Sequence, residues 1–201
     1  LQVRRSTEYL RMPWASGAGN TTELFVFPKG GRLPDNSADW RVSMADVPAN
    51  GPFSFLPAYS RIITLVEVNG FRLTGDLGAN IEIMPGVVYS FSGAERINCE
   101  LFGGACLDLN IMYRADAIKA GLVLLEQAEP INASIIAQSS HETIIVICLD
   151  GRAAVRQPGR RRHNLSPYDS IYFSSQEEQG KLFLTSQAQS KVAIISLEKI
   201  A

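Results

Sequence analysis

A chain of 201 residues, 46% of them hydrophobic, is long enough to bury one large core or two small ones and too apolar to be disordered as a whole. Nineteen Lys and Arg against 20 Asp and Glu give a formal net charge of -1, which excludes long-range attraction to nucleic acid or an anionic membrane as the basis of function. Any affinity for an anion must come from a local arrangement of charges. The three cysteines, Cys99, Cys106 and Cys148, sit in or beside apolar alternating runs and read as buried free thiols in a reducing compartment. No stretch has the length of a membrane span or the apolar core of a signal peptide, so the expectation is a cytoplasmic protein.

In chain order, Ser6 to Met12 reads as a short strand. The segment from Pro13 to Asn20 is too rich in glycine for regular structure. Its Gly17-x-Gly19 pair lacks the preceding parallel strand and following helix of a dinucleotide loop. Its value is to let the backbone turn closely and bring Trp14, Asn20, Thr22 and Glu23 near one another. Glu23 to Phe27 reads as a strand ending at Pro28, followed by a surface loop. In Trp40 to Val47 the alternation puts Trp40, Val42 and Met44 on one face and Arg41, Ser43 and Ala45 on the other. Phe53 to Pro57 has apolar anchors interrupted by proline, so it packs closely without entering the middle of a sheet. Arg61 to Val68 is apolar on both faces through its centre, as in a sandwich or barrel, and ends in Asn69-Gly70, a strong hairpin signal. Phe71 to Thr74, Ile81 to Met84 and Val87 to Phe91 follow as short strands, the last two joined at Pro85-Gly86.

The most informative run is Cys106 to Arg114. Its even positions, Cys106, Asp108, Asn110, Met112 and Arg114, share one face, and Cys106 and Met112 imply that this face is enclosed. An enclosed polar face needs partners, either other protein groups or a ligand, and the alternation alone leaves both open. Beyond it, Ala115 to Lys119 suggests a short helical turn and Ala120 to Leu125 a strand.

From His141 onward the first half is reread. Ile144 to Leu149 with Asp150-Gly151 matches Ile63 to Val68 with Asn69-Gly70. The offset from Gly70 to Gly151 is 81, and those from Pro85 to Pro167 and from Phe91 to Phe173 are both 82. Two tandem copies of a small antiparallel barrel follow from these landmarks. The last strand of the second copy, KVAIISL, has no counterpart of Asp108, Asn110 and Arg114. A single site therefore belongs to the first copy, with the second as support or as an oligomerisation surface. Arg160 to Arg162, beside His163, reads as an exposed hairpin loop without the aromatic interleaving of a nucleic-acid surface.

Only two histidines are present, His141 and His163, and no ligand spacing accompanies them, so no metal centre or cofactor is expected. No nucleophile elbow, phosphate-binding loop or zinc-deaminase pattern occurs. General acid-base work remains open to Glu23 or Asp108. The arginines Arg41, Arg61 and Arg114 suit carboxylate binding better than proton abstraction, because guanidinium stays protonated. The simplest tenant is a small anionic metabolite.

Four groups of residues together resemble the HutD/Ves family: Trp14-x-x-Gly17-x-Gly19 with Thr21, Thr22 and Glu23; Trp40-Arg41-x-Ser43; Gly51-x-Phe53-Ser54-x-x-Pro57-x-x-x-Arg61 with Gly70; and Asp108-x-Asn110-x-Met112-x-Arg114. The resemblance implies an all-β chain of the double-stranded β-helix (cupin-like) type with few short helices. It also implies two tandem copies, a bicupin, with barrels over 1–118 and 119–201 and without the usual cupin metal ligands. It further implies an association with bacterial histidine utilisation, where a regulatory or fine-tuning role is suspected, and with stress-induced or cold-responsive relatives; no established reaction accompanies it. Urocanate and N-formylglutamate are the candidate ligands, and the expected binding set is Trp14, Asn20, Glu23, Arg41, Ser43, Arg61, Asp108, Asn110, Met112 and Arg114. Two rival readings stand beside this: a hydrolase or isomerase using Glu23 or Asp108, and a structural or partner-binding protein. Exposed strand edges are the reason to expect a homodimer.

Overall fold

The computed structural model describes residues 1–14, 19–67, 69–137, 139, 141–175 and 180–200. Gly17 and Val68, both used above, lie outside the described residues. The strands begin with β1 (Gln2–Arg4), β2 (Leu10–Pro13), β3 (Asn20–Phe27), β4 (Trp40–Val47), β5 (Gly51–Pro52), β6 (Ser60–Leu65), β7 (Phe71–Gly75), β8 (Asn80–Ile83), β9 (Val88–Ser92), β10 (Ile97–Leu101) and β11 (Cys106–Tyr113). They continue with β12 (Ile118–Glu126), β13 (Asn132–Ile136), β14 (Glu142–Asp150), β15 (Ala153–Arg156), β16 (His163–Leu165), β17 (Ser170–Ser174), β18 (Lys181–Ser186) and β19 (Lys191–Lys199). A single 3-10 turn, Ser6–Glu8, is the helical element among the described residues.

Two compact units emerge, one formed by Leu10–Ile118 and the other by Leu1–Tyr9 with Lys119–Ala201. The first nine residues thus group with the carboxy-terminal segment. In the Leu10–Ile118 unit a six-stranded sheet, β2-β3-β4-β11-β6-β9, and a four-stranded sheet, β5-β10-β7-β8, are both antiparallel. Their facing surfaces share one core. Val47, Ile63, Leu65, Phe91 and Cys106 come from the larger sheet, and Phe71, Leu73, Ile83, Ile97 and Cys99 from the smaller. The second unit has the sheets β1-β17-β14-β19-β12 and β13-β18-β15-β16. Its apolar core brings Ile144, Val146, Ile171, Phe173 and Val192 against Val155, Leu165, Leu182 and Leu184.

Two local expectations change, and a third, the short helical turn expected from Ala115, is met by a single turn. The Asn69-Gly70 step does not close a hairpin: β6 pairs with β11 and β9, β7 with β8 and β10, and the chain crosses here from one sheet to the other. Gly70 is needed for close approach, since a Cβ would lie 2.5 Å from Met84 Sδ and 3.0 Å from the Phe102 ring. The strand expected over Ser6 to Met12 is divided, with a 3-10 turn before β2 in which Glu8 N–H donates to Arg5 O at 2.9 Å. After β11 there is a tight turn at Arg114, whose carbonyl accepts from Ala117 N–H and Ile118 N–H, and strand resumes directly as β12.

Candidate functional site

The site begins with register. On β11, Asp108 lies between Ala45 of β4 and Leu65 of β6, Asn110 between Ser43 and Ile63, and Met112 between Arg41 and Arg61. Side chains alternate along each strand, and directly opposed residues share a face. Val47, Ile63, Leu65 and Cys106 line the core, so Arg41, Ser43, Arg61, Asp108, Asn110 and Met112 face the same interior. Glu23 joins them from β3, opposite Ser43. The opposite face is apolar and also buried, with Val42, Met44, Ile62, Leu109 and Ile111. This sheet is thus buried on both faces, and one of them is polar. Exposure of 1% for Ser43, 4% for Arg61, 1% for Asp108 and 3% for Asn110 puts these groups in the interior as the lining of a polar chamber, with Arg41 and Glu23 half-buried at its edge.

The Arg61 guanidinium is held between two phenyl rings, its Cζ 4.9 Å from the centroids of both Phe53 and Phe91. Stacks of this kind contribute about 0.5 to 2 kcal/mol each and fix the plane of the fork. Arg61 Nε donates a long hydrogen bond of 3.5 Å to Asn110 Oδ1. At the Met112 end of the chamber, Arg41 Nη2 donates to Met112 Sδ at 3.8 Å.

Among the described residues, three buried side-chain polar atoms have no hydrogen-bond partner: Arg41 Nε, Arg61 Nη1 and Asp108 Oδ1. A buried polar atom without a partner costs about 1 to 3 kcal/mol, and more when charged. All three belong to the same interior face. Asp108 lies within electrostatic reach of Arg61 yet closes no ion pair with it. Burial pushes the Asp108 carboxyl up to about 7, with Arg61 and an Asn110 hydrogen bond pulling it down and Asp46 adding to the rise. Burial lowers Arg61 to about 10, countered by Asp108 and reinforced by the like charge of Arg41. Arg41 is also lowered by burial, with Glu23 and Tyr59 opposing. Cys99 and Cys106 beside the chamber are pushed up to about 12 by burial and then by Asp108, so they remain neutral thiols.

The expected residues do not all converge. Trp14 packs against the same core, and its Nε1 donates at 2.9 Å to Oγ1 of Thr21, the residue opposite Ala45. Asn20 pairs with Asp46, which puts it on the face away from the chamber. Arg114 lies beyond the end of β11, where its Nη2 bonds Asp116 Oδ2 at 2.9 Å and its Nη1 approaches Asp39 Oδ1 at 4.0 Å. It lines an open cleft of about 480 Å³ with Asn36, Tyr59, Ser60 and Ser92 instead. Phe53, Phe91 and Thr21 are outside the expected binding set, although the motif groups include Phe53 and Thr21; nothing in the sequence singles out Phe91. No group of three or more His, Cys, Asp or Glu among the described residues is placed to share a metal ion.

Two guanidinium edges, a carboxyl, a carboxamide and a hydroxyl on one buried face are groups whose hydrogen-bonding capacity complements an anion that also carries polar nitrogen or oxygen.

Comparison with known proteins gives a consistent picture. A family model described as HutD matches residues 6–194. A Pseudomonas putida protein, described as an uncharacterized 21.2 kDa protein in the hutC 3' region, is 30% identical over 197 residues, covering 98% of this chain and 97% of its own. The crystal structure of a conserved protein of unknown function from Pseudomonas aeruginosa is similar with TM-score 0.82 and 28% identity, over 100% of this chain and 98% of that one. A structure described as HutD from Pseudomonas fluorescens has TM-score 0.80 and 24% identity over 100% of this chain and 99% of that one, a likeness of fold.

Proposed function

The chain belongs to the HutD family, within the cupin superfamily, and we propose that its Arg61 chamber binds a small carboxylate metabolite and serves a regulatory or fine-tuning role in histidine utilisation. The observation that carries this reading is the set of three partnerless buried atoms on one interior face, two of them arginine donors. The Pseudomonas putida relative described by its place in the hutC 3' region supports the pathway. Urocanate and N-formylglutamate, each a carboxylate with a polar nitrogen group, are the candidate ligands. Asp108 and Met112 are four residues apart, about 13 Å along the strand, a length suited to a metabolite of this size.

A bicupin arrangement belongs to the same proposal. The order β4-β11-β6-β9 corresponds to β12-β19-β14-β17, and β5-β10-β7-β8 to β13-β18-β15-β16, which supports a duplicated barrel. Among the described residues of the second copy no arginine is buried, and Ile194 of β19, opposite Val146, stands where Asp108 stands opposite Leu65, which supports a single arginine-lined chamber.

Calorimetric titration with urocanate and N-formyl-L-glutamate tests the binding, on the natural protein and on Arg61→Met. Methionine removes an incompletely paired buried charge while keeping most of the volume, so the fold is retained. Saturable binding that the substitution weakens at least about tenfold supports the proposal. Silence of the natural protein towards both compounds at millimolar concentration overturns it.

One observation favours a second reading. A carboxyl held near neutrality is suited to general acid-base work, so Asp108 fits a hydrolase or isomerase acting on the same class of molecule. Conversion of either compound by metal-free protein, lost in Asp108→Asn, would establish it; saturable binding without conversion would exclude it.

A further inference from the structure

We infer that the chamber takes up its anionic ligand together with a proton held on Asp108, so that Asp108 serves as a donor, beside Arg61, to the bound carboxylate. This rests on the chamber reading above and goes beyond it by specifying what is bound.

The three partnerless atoms are not chemically alike. Arg41 Nε and Arg61 Nη1 are donors, whereas an ionised Asp108 Oδ1 is only an acceptor. A carboxylate guest satisfies two donors and leaves the acceptor facing it, negative against negative. A proton on Asp108 turns that oxygen into an O–H donor, and Asp108 Oδ1 with Arg61 Nη1 then complements one carboxylate, while Arg41 Nε adds a donor towards the Met112 end. The charge count agrees. Arg41 and Arg61 carry two positive charges, and Glu23 with an ionised Asp108 would cancel them; a protonated Asp108 leaves one net positive charge for the incoming anion.

The surroundings leave Asp108 free to make this change. From β6 it is faced by Arg61 and Leu65, from β4 by Ala45, with Asp46 within electrostatic range, from β10 by Cys99, and on its own strand by Cys106 and Asn110. The thiols stay neutral until about 12 and Arg61 stays charged until about 10. Glu23 approaches Arg41 rather than Asp108. Burial thus poises the Asp108 carboxyl, at about 7, to hold a proton near neutrality.

The experiment is calorimetric titration of the full chain with N-formyl-L-glutamate and with urocanate between about pH 7 and about pH 9, each in two buffers of different ionisation enthalpy. Binding to the protonated form alone lowers the apparent affinity on the order of 50-fold across this range. The buffer comparison at about pH 8 reads the uptake of close to one proton per ligand. In Asp108→Asn both the pH dependence and the proton uptake are expected to vanish. Binding by the natural protein with flat affinity and no proton uptake overturns this inference while leaving the chamber reading intact, as does a pH dependence that survives in Asp108→Asn. Absence of binding at every pH overturns both. The buffer comparison needs only the natural protein, so the test stands even if the variant fails to fold.

Discussion

Replacing Asp108 with Asn should stabilise the Leu10–Ile118 unit at alkaline pH, although it removes a charge near a buried arginine. Burial raises the carboxyl from 3.8 to about 7 in the folded protein. Between these values the folded state holds a proton that the unfolded chain has released, so stability is full below the lower value and falls as pH rises towards the upper one. Roughly three pK units at about 1.4 kcal/mol each give a loss of about 4 kcal/mol above neutrality, an upper figure because the buried site relaxes. Asparagine cannot ionise and escapes that loss. At about pH 8.5 the variant should be more stable by up to about 4 kcal/mol, and at about pH 5 by less than about 2 kcal/mol. Both tryptophans, Trp14 and Trp40, lie in the Leu10–Ile118 unit, so tryptophan fluorescence during urea unfolding reports on this unit alone. A natural protein more stable than the variant at about pH 8.5, or a gap that does not change with pH, would refute the reasoning.

Other consequences can be measured separately. A Cβ at Gly19 would lie 2.5 Å from the Asp46 carbonyl oxygen and 2.9 Å from the Trp14 ring, so Gly19→Ala should displace Trp14 and cost about 1 to 3 kcal/mol. An unchanged fluorescence spectrum and urea midpoint would contradict this. Tyr59, 2% exposed, donates through its hydroxyl to Ala38 O at 2.8 Å, so Tyr59→Phe should cost about 1 to 2 kcal/mol in the same urea assay. A loss near zero would mean that the carbonyl finds another partner. Cys99 and Cys106 are pushed up to about 12 and Cys148 to about 11, chiefly by burial. All three thiols should resist an alkylating reagent in the folded protein and react in urea; rapid modification without denaturant would show that the cores are open.

Much of the chamber was legible because a strand has period two. Once Cys106 to Tyr113 is read as a strand, Asp108, Asn110 and Met112 must share a face, and Arg41 with Ser43 follow by the same rule. The rule fails at strand ends. Arg114 keeps the parity of that face in sequence, but β11 ends at Tyr113 and the following turn carries its guanidinium to Asp116. In β3 the register shifts between Glu23 and Phe25, so parity cannot be extended through that strand. Asn20, three positions before Glu23, takes the opposite face. The stacking of Phe53 and Phe91 on Arg61 joins segments from separate elements, and no local pattern announces it. Asn69-Gly70 misled because a turn-forming pair reports only that the chain bends; which strands it joins depends on the sheets that compete for them.

The most direct measurement is a crystal structure of the protein grown with N-formyl-L-glutamate or urocanate. A carboxylate in contact with Arg61 Nη1 and Asp108 Oδ1, between the Phe53 and Phe91 rings and β11, is the expected result. A ligand seated only in the open cleft beside Tyr59 and Arg114, with the interior closed by protein side chains alone, would contradict it.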